Sequence, residues 1–142
     1  LLNGRVPYFW GGKSSAGWNS KWNTPQKVTS PGTSDYGKMI PYGLDCSGYI
    51  DWVFKTANAT TMLNGGTAHQ WGQSYGISKK ELKPGDLVFK NPPNSGGINH
   101  VGIYIGDNGN KPMYIHCSYG NGVGIDSWSG FKYYRRVKIN LD

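Results

Sequence analysis

Cysteine is scarce: Cys46 and Cys117 are the only two in 142 residues. That excludes a disulfide-stapled scaffold and leaves either one bridge or two separate thiols. Long apolar runs are missing as well, since no stretch approaches the ~20 residues that a bilayer-spanning helix needs. Acidic residues are few, 8 against 15 basic, giving a formal charge of +7. Yet the basic residues form no runs; Lys79-Lys80 and Arg135-Arg136 are the only adjacent pairs. A basic tail is thereby excluded, and a solvated basic surface explains the charge better than a dedicated nucleic-acid site. Such a field still draws in polyanions of any kind, an anionic cell wall among them. There is no internal repeat and no low-complexity tract. The chain opens at Leu1 with neither Met nor a signal-like segment, so a mature or excised piece of something longer is expected.

What is plentiful is glycine and aromatic residues: 22 Gly, 10 Tyr and 6 Trp. The mixture suits strands and turns carrying amphipathic aromatics. A chain of this length fits a single domain, 1–142, and buries roughly two thirds of its unfolded surface on folding. Val6–Gly12 is a short aromatic block closed by the pair Gly11-Gly12. From Ser14 to Gly43, prolines, polar residues and the exposed-looking Trp18 and Trp22 predict a long ordered loop. Cys46, Ile50, Val53, Phe54 and Ala57 then mark one face of a helix, with Asp45 placed to cap it.

After a polar stretch containing Leu63-Asn64-Gly65-Gly66, the turn Lys83-Pro84-Gly85-Asp86 leads into the apolar run Leu87–Phe89. Further strands are predicted over His100–Ile105, Met113–Cys117 and Tyr133–Ile139. Asp107-Asn108-Gly109-Asn110 predicts a hairpin between the first two. One helix followed by an antiparallel sheet is an α+β domain.

Cys46 falls at the helix N-terminus, where unpaired amides and the macrodipole favour a thiolate, so a depressed thiol pKa is expected. The competing reading is a buried, inert small hydrophobe. Alternation puts His100, Gly102 and Tyr104 on one strand face and Val101, Ile103 and Ile105 on the buried one. With the hairpin centred on Asn108, His100 and His116 become a directly opposed pair, and a third polar group can then orient a base. Two half-exposed strand histidines are the bland alternative. Cys117 falls on the face away from His116, so a Cys46–Cys117 bridge and a Cys46–histidine site are rival arrangements. A zinc site drawn from Cys46, His69, His100, His116 and Cys117 has poor ligand spacing. His69 reads as a satisfied or surface histidine.

Three segments also resemble, in order, those of the NlpC-type cell-wall peptidases. They are Leu44-Asp45-Cys46-Ser47-Gly48-Tyr49, Lys83-Pro84-Gly85-Asp86-Leu87-Val88-Phe89 and Asn99-His100-Val101-Gly102-Ile103-Tyr104-Ile105-Gly106. Tyr8–Gly12 is similar to that family's opening segment and Tyr114-Ile115-His116 to its third catalytic one. The resemblance implies a papain-like fold, with a nucleophile helix packed on a central antiparallel sheet. It implies a secreted or wall-associated bacterial cysteine peptidase that hydrolyses the D-γ-glutamyl–diamino acid bond of peptidoglycan stem peptides.

By position it makes Cys46 the nucleophile, His100 the general base and His116 its orienter, with no metal or organic cofactor. It makes Tyr8 an oxyanion donor. Asp45 and Ser47 match residues that hold a substrate amine in some members, with helix capping as their structural alternative. One departure stands out: residues 13–43 are inserted between the paired glycines and the cysteine segment. Trp18, Trp22 and Tyr36 in this insertion are expected to form a cleft wall. The partners implied are the stem peptide, anionic wall polymers and further domains of a longer parent chain, with neither nucleic acid nor a membrane span. A non-catalytic wall-binding module, or a wall amidase or acyl transferase using the same cysteine, are the rival readings.

Overall fold

The computed structural model of the chain describes residues 6–57, 66–93 and 99–138. Helix α1 spans Cys46–Thr56. It starts where the sequence calls for it, because Asp45 is extended and its carboxylate accepts the Gly48 N–H at 2.7 Å, satisfying one of the amides that a helix start leaves open. The buried face comprises Cys46, Tyr49, Ile50 and Phe54. Ala57, expected on that face, is instead the exposed C-cap. The polar stretch at Leu63–Gly65 lies outside the described residues. A second helix, α2 (Gly66–Gly72), which the sequence reading did not anticipate, is fastened to α1 by a buried glutamine. The Gln70 amide donates to the Ser47 carbonyl and to Asp51 Oδ1, both at 2.9 Å.

The sheet is formed by β3 (Ser74–Ile77), β4 (Leu87–Phe89), β5 (Val101–Asn108), β6 (Lys111–Ser118), β7 (Gly122–Asp126) and β8 (Tyr133–Val137). These six strands lie in the order β3-β8-β4-β5-β6-β7, every pair antiparallel. The α+β architecture read from the sequence is the one observed. β3 and β7 were not foreseen: the first is short and largely exposed, and the second carries Gly122 and Gly124. Of the segment Tyr133–Ile139, the strand covers Tyr133–Val137, and Ile139 lies outside the described residues.

Alternation along the central strands sorts two apolar clusters onto the two faces. Leu87, Phe89, Val101, Ile103 and Cys117 pack with α1, whereas Val88, Tyr104, Tyr114 and Phe131 form the second cluster. The β5–β6 hairpin is not centred on Asn108. Asn108 pairs with Lys111, so Gly109-Asn110 is the two-residue turn, with Gly109 at a positive φ of 64°, as a glycine-first tight hairpin turn requires. A bulge between Tyr104 and Gly106 then shifts the register. The bulge turns Ile105 out, leaving it 40% exposed rather than buried as alternation predicted.

Residues 13–43, expected to be an inserted loop, contain regular structure. β1 (Pro25–Lys27) and β2 (Met39–Pro41) pair as an antiparallel ribbon. Both are short and mostly exposed, so they carry no alternating apolar signal. Trp22, which looked exposed in sequence, is buried against Trp52 of α1 at 5.7 Å between ring centroids.

Candidate active site

Backbone-to-backbone packing seats the start of α1. The segment Pro7–Phe9 runs beside Leu44, with the Leu44 N–H donating to Pro7 O and the Phe9 N–H to Leu44 O. Gly12, Gly43 and Gly48 allow this approach, since a Cβ on Gly48 would overlap the Gly12 carbonyl oxygen and one on Gly43 the Pro7 carbonyl. The arrangement brings Tyr8 alongside Cys46 at one cavity of about 430 Å³, which His100, His116, Asp126 and Trp128 also line.

Cys46 is a free thiol, as is Cys117. No bridge joins them: Cys117 is fully buried in the core beneath α1 and donates to the Leu44 carbonyl at 3.2 Å. The expected depression of the Cys46 pKa is overturned. Burial pushes the thiol up to about 11, and the neighbouring Asp45 carboxylate pushes the same way. The backbone N–H groups of Val101 and Ser47 and the Lys13 ammonium favour the thiolate but do not outweigh desolvation. Tyr8 is likewise held protonated, by burial above all.

The two histidines meet, although not as directly opposed residues. Ile103 pairs with Ile115, so continuing that register sets Gly102 opposite His116 and makes His100 its diagonal neighbour. Gly102 keeps the space open, because a Cβ there would sit 3.1 Å from the His116 Cβ and 3.0 Å from the Phe131 ring. His100 Nε2 and His116 Nδ1 are 2.7 Å apart. His116 Nε2 in turn lies 3.0 Å from Asp126 Oδ1, an oxygen that also accepts the Trp128 N–H at 3.0 Å.

His100 stacks on Phe131 at 5.4 Å, and Trp128 meets its ring edge-on. In this aromatic setting burial lowers the His100 pKa to about 4, with the His116 charge acting in the same direction. At rest the site therefore holds a thiol and a neutral imidazole.

Asp45 and Ser47 already hold an ammonium, that of Lys13. Its Nζ lies 2.8 Å from Asp45 Oδ1 and 3.0 Å from Ser47 Oγ. The Gly11 N–H occupies the other Asp45 oxygen at 3.1 Å, so the carboxylate serves as cap, ion-pair partner and loop tether together.

Trp18, Trp22 and Tyr36 do not line the cavity. Trp22 is buried, while Trp18, at its edge, and Tyr36 point to solvent elsewhere. The wall is built instead by Tyr119, Asn121 and Trp128, with Tyr119 packed edge-on against Tyr8. Residues 13–43 meet this wall through Asp35, which accepts the Tyr119 hydroxyl at 3.4 Å. His69 lies exposed on α2 and does not line the cavity. Among the described residues no three His, Cys, Asp or Glu side chains converge as metal ligands. Sequence reasoning missed Lys13, Asp126 and Trp128; Asp126 at the end of β7 and Trp128 just after it carried no motif that singled them out.

The family model described as the NlpC/P60 family matches residues 4–140. Among curated proteins, a probable endopeptidase p60 of Listeria grayi is 41% identical over 95 residues, 67% of this chain and 17% of that protein. A probable endopeptidase NlpC homolog of Haemophilus influenzae is 41% identical over 103 residues, 71% of this chain and 49% of its own length. The peptidoglycan DL-endopeptidase CwlO of Bacillus licheniformis is 30% identical over 127 residues, 89% of this chain and 22% of that protein. A crystal structure from Staphylococcus aureus, described as similar to lipoprotein of the NLP/P60 family, superposes with a TM-score of 0.53 at 27% identity. It covers 84% of this chain and 38% of that one. The chain thus spans from under a fifth to about half of the length of these relatives.

Proposed function

The chain belongs to the NlpC/P60 family, and on that premise we propose that it is a peptidoglycan endopeptidase working through a Cys46–His100–His116 triad. The bond assigned is that between D-glutamate, through its side-chain carboxyl, and the diamino acid of the stem peptide. The relatives named as endopeptidases, one of them a peptidoglycan DL-endopeptidase, support the substrate class. The observation that carries the chemistry is the opening of Cys46 and His100 onto one cavity, with His100 Nε2 held 2.7 Å from His116.

In this mechanism the Cys46 sulfur attacks the amide carbonyl carbon as its proton passes to His100. The carbonyl π pair moves to oxygen, where the Tyr8 hydroxyl donates. Collapse of the tetrahedral intermediate breaks the C–N bond, and the imidazolium gives its proton to the leaving amine. Water, deprotonated by His100, then hydrolyses the thioester and restores the thiol. A resting thiol and neutral imidazole fit this sequence, because the proton moves only as the carbon–sulfur bond forms. Residues 1–142 are read as one catalytic domain of a longer secreted or wall-associated bacterial protein, and the short coverage of its relatives supports that reading.

Digestion of purified peptidoglycan by the native domain and by Cys46→Ala, followed by mass spectrometry of the soluble fragments, tests the proposal. Fragments ending at the glutamyl residue from the native domain alone are expected. Cys46-dependent fragments split between sugar and peptide would make it an amidase, and silence from both proteins on several wall types would leave a binding module.

A further inference from the structure

The hydrogen-bond chain at the site does not end at the second histidine, and its far end fixes the protonation of its near end. Asp126 is the last residue of β7, the sheet's edge strand, and its side chain is 56% exposed. A carboxylate oxygen accepts and does not donate. At 3.0 Å from Asp126 Oδ1, the Nε2 of His116 must therefore carry the proton. In neutral His116 that leaves Nδ1 bare, an acceptor. The Nε2 of His100, 2.7 Å away, must then be the donor. Neutral His100 accordingly keeps its proton on Nε2 and presents a bare Nδ1.

Nδ1 is the ring nitrogen nearer the backbone. Cys46 and His100 line the same cavity, and with Nε2 engaged by His116 the bare Nδ1 is the ring nitrogen left for the thiol.

We propose that Asp126 is a positioning residue that sets the tautomers of both site histidines, leaving His100 Nδ1 as the proton acceptor for Cys46. Without it no carboxylate holds the His116 proton on Nε2. The form protonated on Nδ1 would donate to His100 Nε2 and force the His100 proton onto Nδ1, where it blocks the base. The geometry around Asp126 is itself braced: the Trp128 N–H donates to the same Oδ1, and the Trp128 ring lies nearly parallel to His116, 19° between planes. Burial of His100 keeps it neutral, as the tautomer argument needs. Besides His116 and Asp126, the charged group acting on its titration is Lys90.

The inference rests on the proposed function only in taking His100 as the base for Cys46, and its primary test needs no substrate. Long-range ¹H–¹⁵N spectra of the histidine-labelled native protein should show His100 and His116 both protonated at Nε2. In Asp126→Ala the His116 signals should move toward the Nδ1-protonated form, and alkylation of Cys46 by iodoacetamide near neutral pH should slow by about tenfold or more, as expected when a base loses its correct tautomer. Asp126→Asn should retain both, because the Trp128 N–H selects the amide oxygen for that position. An Nδ1-protonated His116 in the native protein would overturn the proposal, as would an Asp126→Ala variant with unchanged tautomers and alkylation. Correct tautomers in a protein that leaves peptidoglycan intact would instead sink the assigned reaction and not the role of Asp126. Unchanged amide spectra elsewhere would show that the variants remain folded, as expected for an exposed edge-strand side chain.

Discussion

At the scale of single residues, burial of Cys46 decides how the thiol behaves, and the charges of Asp45 and Lys13 adjust it. Burial and Asp45 raise its pKa from 9.0 to about 11, and Lys13 opposes them. The rate of alkylation by iodoacetamide should therefore keep climbing from pH 9 toward 11, and a plateau already reached near neutrality would mean a resting thiolate. Lys13→Ala removes a favourable cation and leaves the Asp45 charge, so its alkylation profile should move to still higher pH. The cost to stability should be small, about 1 kcal/mol or less, because the Lys13 side chain is 48% exposed.

On the acid side, the proposed base His100 must be neutral to accept a proton, and its pKa is lowered to about 4. Activity should persist well below the ordinary histidine range and fall only as pH drops toward 4. An activity midpoint near 6.5 would contradict that environment. The triad candidates were legible in sequence because each sits in a motif or on a predicted element. Lys13 and Asp126 were not, because Lys13 meets its partner 32 residues along the chain and Asp126 reaches His116 across strands from an unpredicted one.

At the scale of elements, glycines set how closely the segments around α1 approach. Gly48→Ala would drive a Cβ into the Gly12 carbonyl oxygen, a backbone atom that cannot swing aside. Its urea midpoint should fall by the equivalent of roughly 1–3 kcal/mol or more. Gly72→Ala, which meets nothing within 4 Å at the end of α2, should be neutral or slightly stabilising. Equal effects of the two substitutions would refute the close-packing account.

Helix α1 was readable because cap and apolar period coincide at Cys46. The hairpin was readable as a hairpin but not in register, since a bulge at Ile105 leaves no mark in an alternating Val-Gly-Ile-Tyr-Ile run. Helix α2 was hidden by its brevity and the glycines at its two ends, and the ribbon within residues 13–43 by its prolines.

For the molecule as a whole, the charge of +7 is spread along the sequence without a basic run. Attraction to an anionic wall should then be long-range and screened, with a Debye length of about 10 Å at 0.1 M salt. Cosedimentation of the Cys46→Ala protein with intact walls should weaken steeply as salt rises, and binding indifferent to salt would assign retention to specific contacts instead. The fold class was visible in the order of helix and strands. The cleft wall was not, because Tyr119 and Asn121 follow β6 and Trp128 follows β7, and only the folded sheet brings them opposite Tyr8.

The most direct test of the central claim is cleavage of a synthetic stem peptide containing the D-γ-glutamyl–diamino acid bond by the native protein, Cys46→Ala and His100→Ala, with products identified by mass. The account predicts scission at that bond by the native protein and none by either variant. Scission by Cys46→Ala at a comparable rate would contradict it.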